Sequence, residues 1–258
     1  MRPRFLGHHP IHLVILGKMK AKLCEIYGQA GAFAVLEKLF NVLLRVSADL
    51  IKNLYFKITP SGTFHFNGNK LKYFRHTHNL AYQNERKVEI PIAAWFLCSQ
   101  NRGAKILEVG NVLRNYGFGE RRDILDKYDP SPGVINQDVV DFSPKEKYDA
   151  IVSVSTLEHV GWDEADRDPG KIPEAIKNLR DNCMLPGGTM LVTLPLGYNT
   201  YFDEYIKSGG SIFSEQYFLK RVSTNNKWEQ VKYTEVSSSK FGEPFNNANA
   251  MFIGVVRS

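Results

Sequence analysis

The chain has 258 residues, of which 43% are hydrophobic, and a formal net charge of +6. This suits one globular domain with additions, or one large domain, and no stretch reaches the roughly 20 apolar residues needed to cross a bilayer. The three cysteines, at 24, 98 and 183, are far apart and lack zinc-type spacing. This argues against a disulfide framework or a structural metal and favours a reducing, cytoplasmic setting.

The positive charge is concentrated at the N-terminus. Residues 1–60 contain nine Lys or Arg and three Asp or Glu, a balance of +6, so residues 61–258 sum to zero. This argues against nucleic acid as a partner of the main domain and leaves an anionic surface open as a partner of the first 60 residues. We therefore expect an accessory helical segment at 1–60 and the main domain at 61–258.

The first predicted element is an amphipathic helix over residues 31–57. Apolar residues such as Leu36, Phe40, Leu43 and Leu54 recur every three or four positions, and polar residues fall mostly on the other face. The apolar face needs a partner, and three are open: the main domain, a second copy in a homodimer, or a membrane surface with the lysines toward the headgroups. The third would make the protein peripheral to the membrane.

Residues 61–104 are expected to lead into the core. Alternating apolar residues flank Asn67-Gly68, a dipeptide suited to a tight turn, so residues 60–74 predict a β-hairpin. Residues 84–100 predict a helix with Asn84 as its cap. Pro91 is expected to kink or restart this helix.

From residue 105 onward, strands are predicted to alternate with helices. Near-continuous apolar runs predict a parallel sheet buried on both faces, and the alternation predicts a doubly wound α/β domain. The glycines of 186–188 are expected to stop a helix at 172–184, and the last two strands to pair antiparallel. The predicted strands are 105–110, 121–129, 133–142, 148–156, 189–197, 227–236 and 249–258.

Several polar residues lie at or just after the predicted carboxyl ends of these strands, where ligands bind in such sheets. They are Glu108, Asp126, Asp138 and Ser155. A dinucleotide loop needs several glycines for the backbone to approach a pyrophosphate, yet only Gly110 stands after the first core strand. This argues against a nicotinamide cofactor.

Five motifs, in this order, resemble those of class I S-adenosylmethionine-dependent methyltransferases. They are "ILEVG" at 106–110, "ILD" at 124–126, "NQDVVDF" at 136–142, "YDAIVSVSTLEHV" at 148–160 and "LPGGTMLVTLP" at 185–195. The resemblance implies a mostly parallel, seven-stranded sheet preceded by a helical and hairpin extension, with S-adenosylmethionine as cofactor.

The resemblance also implies roles for individual residues. Gly110 and Asn111 would border the methionine part, with Glu108 bringing negative charge near the cationic ligand. Asp126 would accept hydrogen bonds from both ribose hydroxyls. Most family members have a second glycine where this chain has Val112, a departure that affects the shape of the loop.

The adenine and the tail are assigned in the same way. Asp138 would accept from the adenine amino group, with the Val139 backbone beside it, and Asp141 is a rival for that role. Ser155 would contact the amino-acid tail through its backbone or hydroxyl.

His159 is the candidate catalytic residue. A hydroxyl acceptor benefits from a general base with a pKa near neutrality, which histidine supplies. The competing interpretation is that His159 orients its loop or caps the next helix. We predict no metal, because the core shows no cluster of carboxylates and histidines at ligand spacing.

The acceptor is predicted from a segment rich in aromatic residues after the fifth core strand. Tyr and Trp side chains suit a sugar ring or an aromatic metabolite. The residues in question are Trp162, Tyr198, Tyr201, Tyr205 and Trp228, with Asn246, Asn247 and Asn249 as candidate partners for hydroxyls. The competing interpretation is that half of the aromatic residues belong to the core and that the asparagines form a turn.

The C-terminal pattern is also similar to methyltransferase-like proteins of bacterial polysaccharide clusters. This similarity implies a role in polysaccharide biosynthesis, with O-methylation of a sugar hydroxyl on a glycan or of another small hydroxylated acceptor. The alternative is a binding or interaction module that keeps the fold without turnover.

Overall fold

The computed structural model of the protein describes residues 11–119, 122–209 and 212–258. These form a helical unit that ends at Ile58 and a second unit spanning Thr59–Ser258. The helical unit is α1 (Ile11–Ile58), so the predicted helix is confirmed, although it begins earlier than expected. Residues 1–10 of the predicted accessory segment lie outside the described residues. No helix in the described part of the chain is long and apolar enough to cross a membrane.

The predicted hairpin is confirmed. Strands β1 (Thr63–Phe66) and β2 (Asn69–Lys72) pair antiparallel. Asn67 and Gly68 have φ values of 46° and 74°, the left-handed conformation that a two-residue hairpin turn requires. Phe64 and Phe66 are buried and attach the hairpin to the core.

Helix α2 (Arg86–Cys98) follows the hairpin and contains Pro91. Of the two expected effects, a restart does not occur, because the helix continues through the proline. Because Pro91 has no N–H, the carbonyl of Lys87 loses its usual helical donor. The N–H of Phe74 donates to that carbonyl at 2.9 Å instead, so the segment after the hairpin supplies the missing bond.

The main sheet has eight strands in the described residues, in the order β5-β4-β3-β6-β7-β10-β8-β9. The first five are parallel, β10 is antiparallel to both β7 and β8, and β9 is antiparallel to β8. The strands are β3 (Ile106–Val109), β4 (Asp123–Leu125), β5 (Val134–Ile135), β6 (Tyr148–Val154), β7 (Met184–Pro195), β8 (Glu215–Arg221), β9 (Trp228–Val231) and β10 (Ala250–Arg257). The mostly parallel α/β fold is confirmed, with one more strand than the seven predicted.

The extra strand comes from an element that the sequence pattern did not reveal. The two last predicted strands do not pair with each other: β9 pairs with β8, and β10 lies between β7 and β8. Within β8 only Phe218 and Leu219 are buried, so its alternation of apolar and polar residues is weak.

The glycines at 187 and 188 also play a different part from the one predicted. Helix α3 (Lys171–Asn178) continues as a wider turn over Leu179–Cys183 and ends before them. The register of β7 against β6 shifts between Met184 and Thr189, so residues 185–188 form an irregularity inside β7.

Helices cover both faces of the sheet, as a doubly wound domain requires. Helix α3 and helix α4 (Thr200–Lys207) pack in one apolar cluster with residues of β3, β6 and β7. Helix α2 and the hairpin pack in a second cluster on opposite-facing residues of the same strands. Between β3 and β4, however, the described chain forms only a 3₁₀ turn, Leu113–Tyr116. Between β4 and β5, and between β5 and β6, it forms no helix. The predicted alternation of strands and helices therefore fails in this part of the domain.

Candidate functional site

The carboxyl ends of β3, β4 and β6 border a pocket with a volume of ≈ 90 Å³. Its apolar walls are Val109, Leu125, Val139 and Val160. Four predicted site residues line it, namely Asp126, Asp138, Val139 and His159, together with Lys127, Thr156 and Glu164. The other four predicted residues do not line the pocket. Glu108, Gly110 and Asn111 stand at the end of β3 and in the loop after it, and Ser155 follows β6.

Glu108 organises the loop after β3. It is fully buried, and its Oε1 accepts the N–H groups of Val112 and Leu113 at 2.8 and 2.7 Å. Its Oε2 accepts from Nε of Arg122. Both carboxylate oxygens are therefore engaged within the protein. The loop is held by side-chain to backbone bonds at Val112, the position where the family usually has a second glycine.

Gly110 permits a close approach, but to a neighbouring loop. Its φ is +86°, and an added Cβ would lie 2.1 Å from Oγ1 of Thr156. The next residue, Asn111, donates from Nδ2 to Asp129 at 2.7 Å, while its Oδ1 is buried without a partner among the described residues. This oxygen is a candidate acceptor for a ligand.

Asp126 sits at the carboxyl end of β4 and binds backbone amides of its own turn. Its Oδ1 accepts from the N–H groups of Tyr128 and Asp129 at 2.9 and 3.0 Å. Its Oδ2 accepts only a long bond of 3.3 Å from the N–H of Asn111. A carboxylate offers about four acceptor positions, so Oδ2 retains capacity for a ligand hydroxyl.

Asp138 belongs to an ion-pair network at the other side of the pocket. Lys127 Nζ lies 2.9 Å from Asp138 and 3.0 Å from Glu164, and Lys171 lies 3.0 Å from Glu164. Burial tends to raise the pKa of the Asp138 carboxyl, but the bonds from Lys127 and from the Val140 N–H outweigh it and lower that pKa. Asp138 is therefore held ionised.

Ser155 ends β6 in a left-handed conformation, with φ of +37°. Its hydroxyl donates to Glu89 Oε1 at 2.5 Å, and the hydroxyl of Thr193 donates to the same oxygen at 2.6 Å. Arg86 donates to Glu89 Oε2 at 2.7 Å. These bonds fasten α2 to the ends of β6 and β7, so the Ser155 hydroxyl is committed to the protein.

His159 stands beside a carboxylate and a phenol. Its Nδ1 lies 2.5 Å from Asp163 Oδ2, and the Tyr198 hydroxyl donates to that same oxygen at 2.6 Å. Burial tends to raise the pKa of Asp163, but the bonds from Tyr198 and His159 lower it. Burial and the bond to Asp163 together raise the pKa of Tyr198. The His159 side chain is 49% exposed, and its Nε2 lies 3.8 Å from Oε1 of Glu158.

The residue before it, Glu158, is buried. One of its oxygens, Oε2, has no hydrogen-bond partner among the described residues, and Oε1 lies 3.8 Å from Nε2 of His159. Burial, reinforced by the charge of Glu89, raises the pKa of Glu158 well above its usual value, while Arg86 opposes this rise.

The predicted acceptor residues divide into two groups. Trp228 is a core residue, 2% exposed, and Tyr205 packs against the core, so neither faces an acceptor. Asn249 is also buried, and its side chain holds a turn through the carbonyls of Phe245 and Asn247. These three residues follow the competing interpretation, because their side chains serve the core or a turn.

Trp162, Tyr198, Tyr201, Asn246 and Asn247 remain candidates, since none of them is buried. Tyr198 packs against the rings of His159 and Phe241. Asn246 and Asn247 line a cleft of ≈ 870 Å³ together with Tyr82, Gln83, Arg221 and Asn225. Because β8 runs parallel to β7 through its antiparallel neighbour β10, the cleft at the end of β8 opens on the same edge of the sheet as the pocket.

Sequence reasoning did not single out Arg86, Glu89, Glu158 or Asp163. A signal existed for Asp163, which lies four residues after His159. Glu158 is adjacent to His159 in the quoted motif, but sequence alone does not show that it is buried. Among the described residues, no group of three or more His, Cys, Asp or Glu forms a metal site. The expectation of metal-independent chemistry remains a prediction.

No protein-family model and no curated protein sequence matches the chain. In a comparison of folds it is similar to N-methyltransferase NodS from Bradyrhizobium japonicum WM9, solved with S-adenosyl-L-homocysteine. The identity is 14%, the match covers 69% of this chain and 90% of that one, and the TM-score is 0.44.

Two further solved structures show the same kind of similarity. A TehB-like S-adenosylmethionine-dependent methyltransferase from Corynebacterium glutamicum is 18% identical, with coverage of 64% and 86% and a TM-score of 0.39. The 1,6-didemethyltoxoflavin-N1-methyltransferase of Burkholderia thailandensis is 11% identical, with coverage of 77% and 99% and a TM-score of 0.41.

Proposed function

We propose that the protein is an S-adenosylmethionine-dependent methyltransferase. One observation carries the proposal: two strand-end carboxylates, Asp126 and Asp138, border a pocket with apolar walls that His159 also lines. Ligands of doubly wound sheets bind outside the carboxyl ends of the strands. Carboxylates beside an apolar slot suit a nucleoside, whose base is flat and whose ribose carries hydroxyl donors.

The residues present fit the cofactor. Val109, Leu125 and Val139 form an apolar bed for an adenine, and Asp126 Oδ2 retains room for a ribose hydroxyl. Asp138 would accept from the adenine amino group in place of its bond from Lys127. The pocket is smaller than the 300 Å³ or more typical of ligand sites, so Lys127 and Glu164 must separate to admit the whole nucleoside.

The protein's own side chains supply a general base, which removes the proton of the acceptor hydroxyl. When bound, S-adenosylmethionine supplies a methyl group on a positively charged sulfur. His159 takes the proton of the acceptor hydroxyl on Nε2, with Nδ1–H directed at Asp163. The Asp163 carboxylate then stabilises the imidazolium, as an orienting acid does for other histidine bases. Positioning of the acceptor supplies much of the remaining rate.

We propose a sugar hydroxyl, or another small hydroxylated molecule, as the acceptor. The support is the open cleft on the same edge of the sheet, whose volume is within the range of ligand sites. Side-chain amides of Gln83, Asn225, Asn246 and Asn247 line it and suit hydroxyl groups, and Tyr82 offers a flat face. A place in polysaccharide biosynthesis would follow from such an acceptor.

The second candidate is a binding module with this fold and no turnover. The contact between Gly110 and Thr156 favours it, because the space that a cofactor would approach is already filled. The two candidates differ in a measurable way. A binding module would bind S-adenosylhomocysteine without transferring a methyl group to any acceptor, or would bind neither form of the cofactor.

The test combines calorimetry with a transfer screen. We expect S-adenosylhomocysteine to bind the full chain, and radiolabelled methyl groups to pass to one hydroxylated member of a panel of sugars, nucleotide sugars, phenols and amines. His159→Gln should abolish transfer while leaving S-adenosylhomocysteine binding intact. An absence of cofactor binding would refute the proposal, and transfer to amines alone would refute the hydroxyl acceptor.

We further propose that α1 sets assembly or location. The seam Phe33, Leu36, Phe40, Leu43, Ser47, Leu50 and Leu54 has the alternating three- and four-residue spacing of a coiled coil. Phe40 and Leu43 are 60% and 63% exposed. The basic residues Lys38, Arg45 and Lys52 repeat every seven residues, away from this seam. A second copy of the helix is the favoured partner, and an anionic membrane surface is the alternative.

A further inference from the structure

The cleft at the end of β8 has an arginine in its wall. The described residues that line this cleft of ≈ 870 Å³ include Arg221, and none of them is an Asp, a Glu or a Lys. Arg221 is the last residue of β8 and is partly exposed. A cleft whose ionic side chain is a guanidinium has a positive potential and favours a ligand with negative charge.

Neutral groups hold this guanidinium in place. Among the described residues, its hydrogen-bond partners are the main-chain carbonyls of Ser223, Thr224 and Asn246, at 3.3, 3.4 and 2.9 Å. Its Cζ lies 4.7 Å from the centre of the Phe245 ring. A guanidinium has five N–H donors, so donors remain for a ligand. Because these partners carry no charge, the side chain is positioned without being neutralised.

Other cations lie close to Arg221. Lys87 Nζ donates to the carbonyl of Asn225, a residue of the cleft wall, at 3.0 Å. Burial and nearby positive charges lower the pKa of Lys87 to about 8. These charges are those of Arg221, Arg75 and Lys227. The four cations repel one another beside the cleft, and an anion bound there would relieve that repulsion.

The acid whose charge reaches Arg221 is Glu85, just before α2. Burial lowers the pKa of Arg221, and the charge of Glu85 opposes this effect. Glu85 itself does not line the cleft, and its Oε2 accepts the N–H of Ala248 at 3.2 Å. Burial and the charge of Glu89 raise the pKa of Glu85. Glu85 alone therefore does not balance the cations beside the cleft.

One turn connects the cleft with His159. The ring of Tyr198 packs against the rings of His159 and Phe241, with centroid distances of 5.1 and 5.2 Å. The next residue after Phe241, Gly242, donates its N–H to the carbonyl of Asn247 at 2.8 Å, and Asn247 lines the cleft. A ligand anchored in the cleft therefore has a path along this turn toward the proposed base.

We propose that Arg221 binds an oxyanion of the acceptor, and that the acceptor is an acidic sugar with a phosphate ester or a carboxylate. The inference rests on the proposed function and narrows its substrate class. The planar guanidinium suits both groups, because each presents two oxygens to paired N–H donors. The amides of Gln83 and Asn225 remain for hydroxyls, and the ring of Tyr82 for a face of the sugar. A neutral sugar would leave the guanidinium charge unmatched.

The experiment compares matched sets of sugars. Each set contains a neutral hexose, its anomeric phosphate and its uronic acid, and the sets are those of glucose, galactose and mannose. Calorimetry with excess S-adenosylhomocysteine measures every affinity. In at least one set, we expect an acidic member to bind about tenfold more tightly than the neutral one or better, as a charge-assisted bond implies. The acid that binds identifies the oxyanion as a phosphate or a carboxylate.

Two variants test Arg221 itself. Arg221→Met should weaken the acidic sugar about tenfold or more and leave S-adenosylhomocysteine affinity within about twofold. Lys220→Met is its matched control, since it removes the same charge from the neighbouring position of β8, whose side chain points to the other face. Thr224→Asp places a carboxylate beside the guanidinium in an exposed turn, so it should also remove the preference for the acid. Thr234→Asp, at an exposed position after β9, is the control for that change.

The possible outcomes are distinct. If wild type binds S-adenosylhomocysteine but no acidic sugar more tightly than its neutral partner, the inference is wrong while the proposed function stands. The inference is also wrong if both cleft variants keep the preference, or if they weaken neutral and acidic sugars equally. If Arg221→Met melts at a lower temperature than wild type, the result with Thr224→Asp decides. If wild type does not bind S-adenosylhomocysteine, the proposed function itself fails.

Discussion

Nδ1 of His159 lies 2.5 Å from a carboxylate oxygen of Asp163, four residues further along the chain. The same oxygen accepts the hydroxyl of Tyr198 at 2.6 Å. Asp163 thus joins a histidine and a phenol that belong to different loops. This arrangement fixes one ring nitrogen of His159 and leaves the other, Nε2, outside the contact with Asp163.

The first prediction concerns this pair. Asp163→Asn should lower kcat while leaving KM and S-adenosylhomocysteine affinity close to wild type, because it removes the charge that orients and stabilises the imidazolium. His159→Ala should cost more, on the order of 10²–10⁴ in kcat, the range for a general base. Asp166→Asn, an exposed acid in the same loop, is the control. If Asp166→Asn lowered kcat as much as Asp163→Asn does, Asp163 would not be the residue that orients and stabilises the imidazolium.

The second prediction concerns Asp126 at the end of β4. Asp126→Ala should weaken S-adenosylhomocysteine more than tenfold, since a hydrogen bond to a charged group contributes roughly 1.5–3 kcal/mol. Asp123→Asn, at the opposite end of the same strand, should leave affinity unchanged. Isothermal titration calorimetry measures both, and a thermal melt checks the turn that Asp126 holds. Unchanged affinity in Asp126→Ala would remove it from the site.

The third prediction uses a buried acid outside the site. Burial raises the pKa of Asp203 from 3.8 to about 6, and its Oδ1 has no partner among the described residues. Between these two pH values the folded state binds more protons than the unfolded state. The free energy of unfolding contributed by Asp203 therefore falls as the pH rises from about 4 to about 6, and then stays level.

Asp203→Asn removes this penalty. Its melting temperature should rise relative to wild type as the pH increases through that window, and the difference should be larger at pH 7.5 than at pH 4. Its Oδ1 still accepts the Gly197 N–H that Asp203 Oδ2 accepts at 3.0 Å. Glu229→Gln, an exposed acid on β9, is the control. A difference in melting temperature that does not vary with pH would contradict the assignment.

The sequence was most informative where apolar runs were long. Strands β6 and β7 were predicted because both are buried on both faces, and the β1-β2 hairpin because Asn67-Gly68 demands a particular turn. Strand β8 was missed because polar residues surround its two buried positions. The alternation of apolar and polar residues reflects burial, so a strand with few buried positions shows little of it in its sequence.

The sequence predicted site residues correctly where it predicted the carboxyl ends of the strands. Asp126, Asp138 and His159 followed from their positions after strands, and all three line one pocket. Glu108 followed from the same rule, yet its oxygens are used by Arg122 and the loop amides. Sequence spacing locates a side chain near an edge, but competition for its hydrogen bonds is decided by residues distant along the chain.

The fourth prediction concerns α1. We expect the protein to be a dimer by light scattering, because burying Phe40 and Leu43 in a coiled-coil seam removes large apolar side chains from water. Phe40→Gln with Leu43→Gln should give monomers, while Lys38→Gln with Arg45→Gln should stay dimeric. A monomeric wild type that sediments with anionic vesicles and is released by salt would favour the membrane instead.

The fifth prediction concerns the stability lost when either of two glycines in the loop after β3 is replaced by alanine. It separates the penalty of a left-handed backbone from the cost of overpacking. Gly110 and Gly117 have similar φ values of +86° and +84°, but only Gly110 is crowded: an added Cβ would lie 2.1 Å from Thr156 Oγ1, whereas Gly117 has nothing within 4 Å. Gly117→Ala should therefore cost only the left-handed penalty, about 1–2 kcal/mol. Gly110→Ala pays that penalty and an overpacking cost of roughly 1–3 kcal/mol more.

Urea unfolding of both variants measures the difference. Adding Thr156→Ala to Gly110→Ala removes Oγ1 and Cγ2 and should recover part of the overpacking cost, though not all, since the Thr156 Cβ remains 2.9 Å away. The same second substitution should do nothing for Gly117→Ala. Equal destabilisation of the two single variants would mean that the Thr156 loop moves aside without cost. In that case the space beside Gly110 is open to a ligand after all, and the objection that favours a binding module without turnover disappears.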